Sequence, residues 1–212
     1  TAKSSLKVVQ TVASCFALYL LSSGRVFANP VIFEPAKNTN HKKIVLVASD
    51  HEYRSEETIP ALARILAQHH GFHCTVLFGL DKNGEIEAGA SNIPGLESLE
   101  KADGLVMFTR FLALPPEQMQ HIDAYLKRGG PVVGLRTATH AFNYSKPEDP
   151  YYKYHYKYNG TDYQLGFGHQ VLGQTWVGHY GKNHQQSTKI SPVANQSTHP
   201  ILRGVSDIHV QA

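Results

Sequence analysis

Cysteine is nearly missing from this chain: among 212 residues only Cys15 and Cys74 carry a thiol. Cys15 falls in an N-terminal leader, so the mature chain has no partner for an intramolecular disulfide. Cys74 stands in a strand-like run, where a free cysteine reads as a packing residue, with a functional thiol as the alternative. Long apolar runs are missing too. The leader's apolar stretch is shorter than the roughly 20 residues that a membrane span needs, and no later segment reaches that length. Charge is sparse and unclustered. The formal net charge of +3 comes partly from Lys3, Lys7 and Arg25 of the leader, which argues against nucleic acid as a partner. No internal repeat is found.

What is present begins with a secretory pattern. Lys3 and Lys7 precede an apolar stretch through Ala17-Leu18-Tyr19-Leu20-Leu21, and Val26-Phe27-Ala28 offers a small-residue cleavage site. Cleavage after Ala28 gives an exported chain, periplasmic or extracellular. A lipoprotein site at Val12-Ala13-Ser14-Cys15 is the rival, weakened by Gln10 in its short apolar run. Residues 29–41 then read as a linker and 42–212 as one domain, a length able to bury a substantial core. The start at Thr1 and the strand-like residues just before Ala212 read as those of a fragment.

From Lys42 onward apolar runs alternate with amphipathic segments, the pattern of a parallel sheet covered by helices. Ile44–Ala48, Cys74–Phe78, Leu105–Phe108 and Val132–Leu135 are the expected strands. Ile59, Leu62, Ile65 and Leu66 repeat at helical spacing up to Gly71. Pro115-Pro116 opens a second helix with Met119, Ile122, Tyr125 and Leu126 inward, stopped by Gly129-Gly130. Residues 81–95 read as a stretch wandering over the surface. The tyrosine-rich segment 151–158 reads as an insertion, Ser187–Ile190 as a further strand, and His199–Val205 as a turn with a short element.

Ligands of open parallel sheets bind where strands end and helix N-termini converge. Three strand ends carry polar groups: Asp50 to Glu57 after the first, Thr109 and Arg110 after the third, and Arg136, Thr137, Thr139 and His140 after the fourth. Each has a plainer reading. Ser55 followed by Glu56 and Glu57 suits a helix cap with acids at the positive dipole end, and Arg110 could be a solvated loop charge. Arg136 and His140 are harder to dismiss, because small residues surround them at a strand-to-helix turn. His140, His155, His169, His179 and His184 lie in one stretch, yet no tight metal-ligand spacing appears; no metal and no cofactor is assigned. Trp176 and the tyrosines either pave a sugar-binding rim or cover the sheet edge.

Gly134-Leu135-Arg136-Thr137-Ala138-Thr139-His140-Ala141-Phe142, with the acidic turn after Ile44–Ala48, the Thr109-Arg110 strand end and His199-Pro200-Ile201 before Gly204, resembles the ThuA-like (trehalose utilisation) family from Lys42 to the end. That resemblance implies a three-layer α/β/α sandwich with a mostly parallel sheet, of the flavodoxin-like or class I glutamine amidotransferase-like type. Arg136 stands where the amidotransferases carry their cysteine nucleophile. A guanidinium has no nucleophilic electron pair at working pH, so glutaminase chemistry is excluded. Many ThuA-like chains have histidine there, and the family domain continues past its His-Pro-Ile segment, so further sheet elements are expected.

The leading reading is a carbohydrate-active enzyme acting on a trehalose-type or oxidised sugar. Arg110 and Arg136 would orient or polarise the substrate, and Glu52 or His140 would move a proton. Tyr53, Arg54, Thr109, Thr137, Thr139, Trp176 and His179 are the candidate substrate contacts. A non-catalytic carbohydrate-binding module, or an interaction domain of a larger exported protein, is the alternative. Everything depends on the loops bearing Glu52, Arg110 and Arg136 meeting over one edge of the sheet.

Overall fold

A computed structural model describes residues 30–37, 42–179, 181–182, 185–186 and 190–205. The segment expected to be a leader, with the expected cleavage sites and Cys15, lies outside these residues, as do His184 and all of the expected strand 187–190 except Ile190, which is in no strand. Contacts divide the chain into two compact units, Thr1–Thr175 and Trp176–Ala212.

The first unit is a mixed α/β structure around one sheet. Its strands are β1 (Val31–Phe33), β2 (Lys43–Ser49), β3 (His73–Phe78), β4 (Gly104–Thr109) and β5 (Val132–Gly134), in the order β1-β3-β2-β4-β5. β3, β2, β4 and β5 run parallel. β1 is antiparallel to β3, pairing Val31 with Val76 and Phe33 with Cys74. Part of the segment read as a linker is therefore an edge strand. Its three residues between Pro30 and Pro35 are too few to show an alternation, and flanking prolines are tolerated only at a sheet edge.

Burial on both faces explains the near-continuous apolar runs of the parallel strands. Val45, Val47, Leu105 and Met107 point to one face, where they meet Met119, Ile122 and Tyr125 of α2 (Pro116–Lys127). Leu46, Ala48, Val106 and Phe108 point to the other, against Ile59 and Ala63 of α1 (Ser55–His70). Along α1 the fully buried apolar positions are Ile59, Ala63 and Ala67, one helical turn apart, flanked by the partly buried Leu62 and Leu66. Ile65, expected inward, is half exposed: small alanines let the helix lie close to the sheet, and Ile65 falls beyond the seam. Gly71 ends α1 in the left-handed region at φ 71°, as a C-terminal glycine commonly does.

Two stretches are better packed than their composition suggests. Residues 81–95 were expected on the surface, but Ile93 is fully buried and leads into a 3₁₀ turn, Leu96–Lys101, whose Leu96 and Leu99 join the α2 side of the core. The tyrosine-rich segment is no sheet element, as expected. It packs into the core, with Tyr154 and Tyr156 buried. Tyr154 Oη donates to Asp123 Oδ1 at 2.7 Å, and Lys127 Nζ holds Asp123 Oδ2 at 2.7 Å. Burial raises the Asp123 pKa, but the bonds from Lys127 and Tyr154 together outweigh it and hold the carboxyl below its ordinary range. Phe142 meets Phe167 edge-on at 5.2 Å beside them, with Phe167 carried by α3 (Gly166–Leu172).

Cys74 is fully buried and in no disulfide. Burial pushes its thiol up to about 11, so it stays protonated at neutral pH and takes the packing role. In the second unit a short 3₁₀ turn, Pro200–Leu202, forms where a turn was expected. No helix among the described residues is long and apolar enough to cross a membrane.

Candidate functional site

β2 and β4 are neighbours, yet the helices that follow them cover opposite faces of the sheet. The chain leaves the two strands in opposite directions, the topology at whose carboxyl ends ligand crevices form in such sheets. The loops after β2, β4 and β5 meet there.

Asp50 organises the first loop. Its carboxyl group is completely buried; Oδ1 accepts hydrogen bonds from the Glu52 and Tyr53 amides, both at 2.7 Å. Oδ2 accepts from Thr137 Oγ1 at 2.5 Å, which ties this loop to the one after β5. The Asp50 amide donates to Ser55 Oγ at 2.9 Å. Ser55 is thus the first residue of α1 and a loop anchor. It is not the N-cap, a position Arg54 fills in the left-handed region at φ 54°, ψ 49°.

Arg110 organises the mouth. Its Nη1 lies 2.7 Å from Glu52 Oε2 in an ion pair and 2.9 Å from His51 Nε2. Its Nε donates to His140 Nε2 at 3.4 Å. A guanidinium only donates, so both imidazoles must receive these bonds through an Nε2 lone pair. In their neutral form each carries its proton on Nδ1, and that of His140 faces Thr139 Oγ1 at 3.2 Å. With side-chain exposures of 16% and 36%, the Arg110–Glu52 pair contributes at most about 1 kcal/mol of stability; its value is positional. Phe111, at φ 55°, forms the floor: its ring centroid lies 4.9 Å from His140, 5.2 Å from Tyr156 and 4.7 Å from the Arg110 guanidinium carbon.

Arg136 occupies a sharp elbow between β5 and a 3₁₀ turn, Arg136–His140, with φ at 47°. A side chain in this region costs about 1–2 kcal/mol, which the surrounding bonds must hold in place. They include Leu135 N to Met107 O at 2.8 Å and Thr137 to Asp50. The guanidinium carbon of the exposed Arg136 lies over the Tyr53 ring, 3.6 Å from its centroid, closer than an N–H pointed at the ring would allow, so the group stacks on it. Because alanine and glycine both lose that stack, their comparison isolates the strain. Arg136→Gly is expected to be more stable than Arg136→Ala by about 1 kcal/mol, read from urea unfolding midpoints; equal midpoints would show a relaxed elbow.

Glu52, Arg110 and His140 are therefore joined directly, and Arg136 is brought to the same crevice through Tyr53. The other expected contacts have different surroundings. Thr109 is fully buried and its Oγ1 has no hydrogen-bond partner among the described residues, so no substrate reaches it as it stands. Thr137 is buried and spent on Asp50. Arg54 turns along the helix to Glu57. Trp176 and His179 belong to the second unit, where their rings meet edge-on at 5.8 Å. Phe111 is the one residue of the site that sequence reading did not touch, and it carried no signal. Asp50 and His51 were read only as members of the polar turn after the first strand, and Tyr156 only as one of the tyrosines of a rim or sheet-edge cover. Compared with models of known protein families, with curated proteins and with solved structures, the chain matches none.

Proposed function

We propose that this chain is an exported ThuA-like protein of the flavodoxin-like, three-layer α/β/α class, acting as an enzyme on a trehalose-type or oxidised sugar. The observation that carries the reading is the Arg110 cluster, in which one guanidinium gathers a carboxylate and two imidazole lone pairs at the sheet's crevice. The left-handed elbow at Arg136 supports the reading, because a strained strand-to-helix turn of this kind thrusts its residue into the site in α/β-hydrolases.

The arrangement fits acid–base work on an oxygen-rich ligand. Arg110 Nη2 makes no hydrogen bond among the described residues and would meet an incoming hydroxyl or carbonyl oxygen, polarising it. A substrate oxygen that draws the guanidinium away from His51 or His140 would release an Nε2 lone pair beside it, unmasking a base as the ligand arrives. Glu52, held by Arg110 through Oε2, keeps a second carboxyl oxygen for the same task.

Incubation of the full chain with trehalose, maltose and lactobionate, with and without added magnesium or zinc ions, tests the reading. Conversion of one sugar is expected, falling at least about 100-fold in Arg136→Ala, the loss typical when one transition-state donor is removed, while circular dichroism stays unchanged. Undiminished turnover in that variant would falsify the proposed site. Calorimetric binding without conversion would favour the binding module instead.

A further inference from the structure

Resting on that carbohydrate reading, we infer that Arg136 is a carboxylate anchor, so that the substrate class is a sugar acid rather than a neutral sugar. The charges around the crevice single it out. Arg110 is balanced by Glu52, and Arg54 by Glu57. Arg136 meets no carboxylate within ion-pair distance among the described residues. The nearby acids are committed elsewhere: the Asp50 carboxyl group is fully buried and takes three hydrogen bonds from its own loops. Glu56 has a buried Oε2 with no hydrogen-bond partner, so that oxygen does not serve Arg136 either.

Orientation supplies the specificity. The Tyr53 ring covers one face of the guanidinium at 3.6 Å, which fixes its plane and leaves the N–H edges as the way to engage it. Two parallel N–H bonds from such an edge match the two coplanar oxygens of a carboxylate. A phosphate ester would bring more charge than one unbalanced arginine offsets, because Arg110 is already neutralised by Glu52. The strained backbone under Arg136 gives a physical reason to regard its placement as serving binding: strain of this kind persists where the side chain must be held out at a fixed point.

Calorimetric titration of the full chain with matched pairs decides the matter: lactobionate against lactitol, and glucuronate against glucose, with glucose 6-phosphate and acetate alongside. The acid of at least one pair is expected to bind tenfold or more tightly than its neutral partner. In Arg136→Ala that preference should shrink to within about twofold, with Arg136→Lys between, since lysine keeps the charge and loses the fork. Thermal unfolding of each variant confirms that it is folded. Three results would overturn the inference: equal binding of acid and neutral partner in both pairs, a preference that survives in Arg136→Ala, or glucose 6-phosphate bound more tightly than glucuronate. Neutral sugars binding as well as acids would leave the carbohydrate reading standing. Acetate binding as tightly as glucuronate would instead retain the fork and remove the carbohydrate reading.

Discussion

Replacing Asp50 by alanine is expected to cost about 3–5 kcal/mol of folding stability, because a buried donor left without a partner costs about 1–3 kcal/mol and a part-buried one falls at the low end of that range. Three donors are involved: the Glu52 and Tyr53 amides and the Thr137 hydroxyl. Two of them fix the loop that bears Glu52, and the third is the side-chain tie to the elbow of Arg136. The variant should therefore loosen both walls of the crevice as well as lower the urea midpoint. Asp50→Asn is the control. Its carbonyl oxygen still accepts both amides, and Thr137 can turn its hydroxyl to accept from the new amide, so the loss should stay near about 1 kcal/mol. Equal losses for the two variants would show that the hydrogen-bond geometry is not what Asp50 contributes.

A comparable effect is expected from a single methyl group on α3. A Cβ on Gly168 would stand 1.9 Å from the carbonyl oxygen of Thr139 and 2.8 Å from that of Gln174. Both obstacles are backbone, so neither can swing aside as a side-chain tip would. Gly168→Ala should therefore push α3 off the turn that carries Thr139 and His140, at a cost of about 3 kcal/mol, the upper end for overpacking. Gly173→Ala, at the C-terminal cap of the same helix, gives the contrast. Nothing lies within 4 Å of its Cβ, and only the left-handed φ of 81° opposes the change, for about 1 kcal/mol. Measured unfolding free energies that rank the two the other way would mean that α3 does not press on the His140 turn.

The parallel part of the sheet was legible because its strands are buried on both faces and so read as unbroken apolar runs, Ile44–Ala48 above all. The helix of Pro116–Lys127 was legible for a related reason: Met119, Ile122 and Tyr125 fall on one face and are all buried. β1 was not, since a strand of three residues carries no period. The site was partly legible. Gly134 and Ala138 around Arg136 signalled a crowded turn, and the structure accounts for both: a Cβ on Gly134 would meet Leu172 at 2.5 Å, and Ala138 is fully buried. Thr109 and Thr137 looked like ligand contacts because hydroxyls at strand ends often are, and only burial separates that role from an internal one. Asp50 failed the other way, an acid in a polar turn whose importance rests on partners up to 87 residues away in sequence. Tyr156 comes to the floor through a packed segment whose composition resembles that of an exposed loop.

Beyond the ends of β4 and β5 the backbones keep pairing after the strands stop. Phe111 N donates to His140 O at 3.0 Å, Leu112 N to Ala141 O at 2.6 Å, and Asn143 N to Leu112 O at 2.8 Å, with Leu112 and Phe142 in a parallel bridge. The segments carrying Arg110 and His140 are thereby riveted into one plate. A force on the guanidinium is passed to the imidazole through main chain as well as side chain, and the spacing of the two groups becomes a property of the scaffold rather than of their rotamers.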